Sequence, residues 1–437
     1  MTAGFISLAV SAGLLSLLTP CVFPMVPITI AYFSSESGTR RSRGVRAALL
    51  FALGIIATFT ALGLTLAAVF GAASLNQFAA HPITNVVLAG LFLVFAANLF
   101  GLFDFSLPSG LIKRANQASS RTDWLGALMM GATFTLTSVT CTAPFVGTLL
   151  VLASRGSWVT PVVGMLVYSA AFALPFFLLA LAPRYVARLP RSGEWIRTMR
   201  ILIGLLEVGA AVKFLANADM VQGVGVLTRE VVLAVWAALV FIGAAYLGRD
   251  VIPKARANWR SLPRTLAPVG VALFIAGWLW SGTNGKQLRQ VEAFLPPSAQ
   301  ASTPSTLEAA ASARWIVNDY PAALAAARAT GKLVFLDFTG YTCTNCRWME
   351  ANVFTDPAVE RELQRFVLTR LYTDGEGELY EQQQAFQERT FGTVALPLYA
   401  VVDADGKVLG TLSGVTRKPA VFIAFLERAR APQLASR

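Results

Sequence analysis

Charge is scarce in this chain: 14% of its 437 residues are charged, while 55% are hydrophobic. That balance belongs to a membrane protein. Histidine is nearly missing. The single His81 argues against multi-histidine metal sites and against haem held by paired histidines. Cysteine is limited to Cys21, Cys141, Cys343 and Cys346. No basic segment precedes the first apolar run, so a cleaved signal peptide is a poor reading. The first run is expected to be a true span with its N-terminus outside. Acidic residues are also outnumbered, leaving a net charge of +12. Many of the basic residues cluster in short loops between apolar runs, so nucleic-acid binding is not expected.

Eight apolar runs are present, near residues 3–33, 46–72, 84–103, 125–153, 159–183, 199–217, 231–248 and 266–280. Their loops alternate in charge. The first carries Arg40, Arg41, Arg43 and Arg46; the second has no Lys or Arg and holds His81. The third has Lys113, Arg114 and Arg121, and the fourth only Arg155. The fifth and seventh are again rich in Arg, whereas the sixth has only Arg229. Odd loops are therefore expected in the cytoplasm, with both termini on the far side.

The first run contains Thr19-Pro20-Cys21-Val22-Phe23-Pro24-Met25-Val26-Pro27. Three prolines so close remove backbone donors and clash with the preceding turn. Carbonyls freed in lipid must be satisfied by protein or by a wet cavity. The helix is expected to break near mid-membrane, with Cys21 at the break. The fourth run repeats the device at Val139-Thr140-Cys141-Thr142-Ala143-Pro144. Both copies read Cys-x-x-Pro. Six spans in two sets of three, each set opening on this motif, predict an inverted repeat with its site near the midplane. Pro175 adds a further interruption in the fifth run, and runs seven and eight fall outside the repeat.

Composition changes from Ser281 to about Ser312, where small and polar residues with Pro read as a flexible linker. The domains expected are thus 1–280 in the membrane, 281–312 as linker and 313–437 as a soluble domain. In the last, helices are predicted over Ala322–Thr330, from about Cys343 to Asn352, over Leu379–Arg389 and over Pro419–Ala429. Strands are predicted over Leu333–Phe338, Phe366–Tyr372, Leu398–Val402 and Val408–Leu412, the last two joined by a hairpin turn at 403–407. The order βαβαββα with a leading helix suits a small α/β domain.

Cys343-Thr344-Asn345-Cys346 follows the central strand and opens a helix, the redox setting for Cys-x-x-Cys. A helix N-terminus lowers the pKa of the first thiol. The second, one turn in, is placed to resolve a mixed disulfide. A zinc site would need further ligands, and neither a second Cys-x-x-Cys nor a nearby His is present.

On these motifs residues 314–430 resemble a thioredoxin fold. The resemblance places Asp337, six residues before Cys343, at the buried acid that moves protons for the resolving cysteine. It places Pro397 of Leu396-Pro397 at the cis-proline facing the disulfide. Glu350 is a weaker candidate for tuning cysteine pKa, and Trp348 and Met349 read as packing. Residues 3–280 resemble the DsbD/CcdA family of transmembrane thiol–disulfide carriers, with Cys21 and Cys141 on its redox pair and Pro24 and Pro144 on its helix breaks. Thioredoxins usually place Trp before the first cysteine, where Tyr341-Thr342 stand here. Glu207 and Lys213 are charged residues of the sixth span, suspect by cost alone. Six residues apart, they point about 120° from each other. Glu207 is a candidate to carry a proton or shape the cavity.

The fold expected is therefore a polytopic α-helical membrane domain of eight helices, three plus three inverted and then two more, fused to an α/β thioredoxin-fold domain. The resemblance implies a protein-disulfide reductase of the bacterial inner membrane with periplasmic termini. Electrons would pass from cytoplasmic thioredoxin through Cys21/Cys141 to Cys343/Cys346, then to periplasmic thiol–disulfide proteins. An immunoglobulin-like acceptor domain, which the family carries ahead of its first span, would here be a separate polypeptide or absent. No metal and no cofactor beyond the cysteine pairs is expected. Two other readings stay open: a small-molecule or metal transporter with a fused thioredoxin domain, and a disulfide oxidase feeding a quinone.

Overall fold

The computed structural model describes residues 3–17, 41–102, 126–135, 138, 159–181, 193–257, 262–289, 291–296 and 315–435. Cys21, Pro24, Cys141 and Pro144 lie outside the described residues. Among the described residues, the helices of the apolar part are α1 (Ala3–Ser16), α2 (Arg41–Ala80), α3 (Pro82–Leu99), α4 (126–135), α5 (Val159–Leu181), α6 (Gly193–Gln222), α7 (Arg229–Ala257) and α8 (Leu262–Thr283). Among the described residues, five segments are long and apolar enough to cross a membrane: Val45–Thr65, Pro82–Leu99, Arg197–Gln222, Arg229–Arg249 and Leu266–Thr283. Val162–Leu178 is a shorter apolar helix. The first and fourth apolar runs extend beyond the described residues, so their full spans are not among these five.

The expected second loop has shrunk to one residue. α2 continues to Ala80, and only His81 separates it from α3. Pro82 explains the break, because a residue before proline is pushed out of the helical region while Pro itself suits a first helical position. The His81 Nδ1 accepts from the Ile83 N–H at 3.2 Å, capping the new helix. Pro175, expected to interrupt its span, lies within a helix assigned without a break. Neighbouring helices can re-satisfy a carbonyl freed this way.

Chain contacts divide the molecule into two compact units, residues 1–75 with 91–208, and 76–90 with 209–437. In the first, Phe51, Ile55, Phe59, Phe134, Met165, Tyr168, Phe172 and Phe176 form a buried core. Phe134 and Phe176 meet edge to face at 5.0 Å, and Phe59 and Phe172 at 5.3 Å. Glycines let the helices close on this core. A Cβ on Gly131 would strike the Phe51 carbonyl, and one on Gly13 the Tyr168 carbonyl. The Ser16 and Tyr168 hydroxyls hydrogen-bond at 2.8 Å, tying the end of α1 to α5.

In the second unit, Ala216, Val232, Leu233, Ala237 and Leu279 of α6, α7 and α8 pack together. The soluble part of this unit is a five-stranded sheet in the order β1-β3-β2-β4-β5. Its strands are β1 (Trp315–Val317), β2 (Val334–Thr339), β3 (Val367–Tyr372), β4 (Leu398–Val402) and β5 (Val408–Ser413). β1 and β2 run parallel to β3; β4 runs antiparallel to β2 and to β5. The helices are α9 (Tyr320–Thr330), α10 (Thr344–Asn352), α11 (Pro357–Leu363), α12 (Glu378–Phe391) and α13 (Pro419–Ala435). β2 is buried at every position, as a central strand covered on both faces should be. Two elements escaped the sequence reading. β1 has only three residues, and α11 is a seven-residue helix opened by Asp356, whose side chain accepts from Ala358 N at 2.9 Å.

Candidate active site

Cys343 and Cys346 are joined by a disulfide, with Cα atoms 5.3 Å apart. The last residue of β2 is Thr339, and the next helical residue is Thr344, so four residues turn the chain from sheet to helix. Cys343 is the N-cap: its Sγ accepts from the Cys346 N–H at 3.1 Å. The first thiol thus sits where a helix presents free N–H groups and partial positive charge, which favours a thiolate. The two sulfurs differ in access. Cys346 is 1% exposed, whereas Cys343 is half-buried. Of the two, Cys343 is the one open to solvent.

The turn is held from just past the end of β3. The Asp374 carboxylate accepts from Tyr341 N–H at 2.7 Å, Thr342 N–H at 3.0 Å and the Thr342 hydroxyl at 2.9 Å. Burial pushes the Asp374 carboxyl upward, and these donors pull it back. A Cβ on Gly340 would strike this carboxylate, so only glycine lets it close on the turn. Tyr341, standing near the usual tryptophan position, stacks on Tyr372 with centroids 4.1 Å apart, and its hydroxyl meets that of Tyr380 at 3.2 Å. Sequence reasoning missed Asp374. The signal available was an Asp just past a buried strand, opposite the Cys-x-x-Cys turn in any parallel pairing of β2 and β3.

Asp337 lies on β2, 1% exposed, with Arg370 directly opposite on β3. The Arg370 Nε donates to its Oδ2 at 3.1 Å. Burial raises the Asp337 carboxyl to about 6; Arg370 opposes this and Glu350 reinforces it. Glu350 stands in the same cluster, paired with Arg347 at 2.9 Å and Arg370 at 3.4 Å. It does not lie on a solvated helix face. Arg370 also stacks over Trp315, 4.5 Å from the ring centroid, a contact that favours a desolvated cation. Two acids and two arginines thus form one cluster on β2, β3 and α10. The Leu396–Pro397 peptide bond is cis, at the start of β4. Met349 is buried in the core on one face of the sheet, with Trp348 packed against it.

Glu207 on α6 is fully buried, and neither carboxylate oxygen has a hydrogen-bond partner among the described residues. Lys213 is different. It donates to Asn217 Oδ1 at 2.7 Å, and Asn217 Nδ2 donates to Asn85 Oδ1 at 3.3 Å. Among the described residues no group of three His, Cys, Asp or Glu could hold a metal ion.

Comparison with known proteins matches residues 2–218 to the family described as "Cytochrome C biogenesis protein transmembrane domain" and residues 315–404 to "Thioredoxin-like". The chain is similar to "Thiol:disulfide interchange protein DsbD" of Ralstonia nicotianae, 28% identical over 95% of this chain and 67% of that protein. The protein of the same name from Vibrio cholerae is 28% identical over 83% of this chain and 56% of its own length. That from Salmonella typhimurium is 31% identical over 80% and 57%. The chain therefore spans between 56% and 67% of these relatives. A thioredoxin from Thermus thermophilus, solved in solution, is 29% identical over 27% of this chain and 87% of its own, with a TM-score of 0.24. The chain thus carries, in order, a DsbD-type transmembrane domain and a thioredoxin-like domain, and over most of its length it is similar to the thiol:disulfide interchange proteins DsbD.

Proposed function

We propose that this protein is a protein-disulfide reductase that carries reducing equivalents across the bacterial inner membrane by thiol–disulfide exchange. The observation that carries the reading is the Cys343–Cys346 disulfide, capped on a helix N-terminus with one accessible and one buried sulfur, on a chain whose other domain is of the DsbD type. Eight spans, three plus three inverted and then two, with both termini outside, complete the reading. They rest on loop charge and on the paired Cys-x-x-Pro motifs.

In the relay, reduced cytoplasmic thioredoxin attacks the Cys21–Cys141 disulfide and leaves it as two thiols. One of these, as thiolate, attacks the Cys343 Sγ. The Cys343–Cys346 bond breaks, and Cys346 leaves as a thiolate that takes its proton through Asp337. The second membrane thiolate attacks the mixed disulfide. Cys21–Cys141 is oxidised again, Cys343 is released, and two electrons have moved outward. The reduced pair then reduces a periplasmic disulfide by the same two steps. Direction follows from the reducing cytosol and the oxidising exterior. Pro24 and Pro144 would open the membrane pair to both sides, and Glu207 would take up a proton between the repeats. Pro397 would face the incoming partner strand, and Glu350 would tune the acid beside it.

Trapping tests this reading. Cys346→Ser should accumulate a mixed disulfide between Cys343 and the outer acceptor, visible on non-reducing gels and identifiable by mass. Cys141→Ser should capture cytoplasmic thioredoxin on Cys21. Absence of both adducts in cells that make the variants at normal levels overturns the relay.

A further inference from the structure

The sixth loop, expected on the outer side, carries a single cation, Arg229. The structure shows what it does. Arg229 opens α7 and is only 4% exposed. Its Nη1 donates to the Gly282 carbonyl at 2.7 Å and its Nη2 to the Lys286 carbonyl at 2.9 Å. Its Nε donates to Glu292 Oε2 at 3.0 Å, and Nη2 pairs with Oε1 of the same carboxylate. Glu292 Oε1 also accepts from the Leu288 N–H at 2.8 Å. A buried bidentate arginine of this kind is strongly directional. It fixes Gly282, Lys286, Leu288 and Glu292, in a stretch that composition assigns to a linker, against the end of the helical bundle.

Apolar packing does the same. Leu288, Ala293 and Leu295 are buried. Leu288 and Leu295 join the core formed by Ala216, Val232, Leu233 and Leu279. Arg289 holds a positive φ of 45°, uncommon for a residue with a side chain. The short 3-10 turn Val291–Phe294 packs against α10, the helix that carries Cys346. Asn352 at the end of α10 donates its Nδ2 to the Arg289 carbonyl at 3.4 Å.

We propose that residues 284–289 and 291–296 form a fixed seat for the Cys343–Cys346 helix, clasped to the membrane helices by Arg229 and Glu292, on which the thioredoxin-like domain docks to receive electrons. The occupant is this chain's own α10. The seat replaces a free encounter by a held one. A tether alone raises local concentration without fixing orientation, and exchange needs the sulfur aligned. The electron-receiving role rests on the relay above; the docking itself does not.

Two measurements on the full chain in lipid nanodiscs test it. A photocrosslinking amino acid placed at Arg289 should join the peptide 286–296 to the peptide 344–352 of the same molecule. Crosslinks found only elsewhere, or only between differently tagged molecules, overturn the seat. In Glu292→Ala, amide hydrogen exchange should rise in both 286–296 and 344–352. Transfer from the membrane pair to Cys343–Cys346 should slow about tenfold or more, as expected when an oriented encounter becomes a random one. Reduction of the same disulfide by dithiothreitol should be unchanged. Loosening of 286–296 with 344–352 and the transfer rate unaltered overturns the proposal. If the wild-type chain transfers no electrons at all, the relay fails, while the crosslink still decides whether the seat exists.

Discussion

Asp337 on β2 and Asp374 just past the end of β3 do different work. Asp337 is raised from an ordinary 3.8 to about 6 by burial, against the pull of Arg370. A carboxyl that binds its proton more tightly when folded contributes stability that is fully present below pH 3.8 and is lost as pH rises towards 6. Thermal unfolding of the intact chain should therefore show stability falling across that window, and Asp337→Asn should flatten the slope. The same variant should slow release of the Cys346 thiolate on the order of 10²-fold, the usual reach of a positioned proton donor. Stopped-flow reduction of the disulfide between pH 5 and 8 measures it. Asp374 is a positioning residue. Its loss in Asp374→Ala leaves two backbone donors of the turn without their acceptor and should cost about 2–3 kcal/mol. Denaturant titration reads the loss, and faster exchange of the Tyr341 and Thr342 amides locates it. The resemblance to thioredoxins points to Asp337 because that acid has a fixed offset from the first cysteine. Asp374 is 31 positions beyond Cys343. Only the pairing of β2 with β3 brings it to the turn.

At the scale of elements, legibility follows burial pattern and end signals. α9 is bounded by Asp319, whose side chain accepts from Ala322 N–H at 2.9 Å, and by Gly331 at φ 66°. Both are strong local signals, and the helix was readable within two residues. β2 and β4 are buried throughout; β4 reads as a continuous apolar run, and β2 is apolar but for Asp337 and Thr339. β1 was not readable, since three residues carry no period; its order comes from pairing with Leu368, Thr369 and Arg370. In the membrane part the apolar runs located the helices but not how closely they approach. Gly54 and Gly131 set that distance, because a Cβ on either would meet the facing backbone. Gly131→Val should force α2 and α4 apart and cost about 1–3 kcal/mol, as overpacking does. A lowered thermal midpoint in detergent, with Gly90→Ala as the control in open space, is the expected result.

For the whole molecule the question is whether the two cysteine pairs form one electrical path. In cells carrying Cys21→Ser, the Cys343–Cys346 pair should shift to fully oxidised, since its supply of electrons is cut. Thiol labelling after acid quench measures the fraction, and a wild-type level of reduced thiol would break the link between the domains. Composition, run length and the Cys-x-x-Cys motif by themselves determined that the chain has a membrane part and a thioredoxin-like part, because lipid and strand burial both write periodic, local demands into sequence. Tertiary structure alone decided which charges meet. Arg370 faces Asp337 and Glu350, Asp374 grips the redox turn, and Arg229 clasps Glu292 across 63 positions. A buried charge is tolerable only with its partner, and the partner lies wherever the folded backbone brings it, at no fixed distance along the chain.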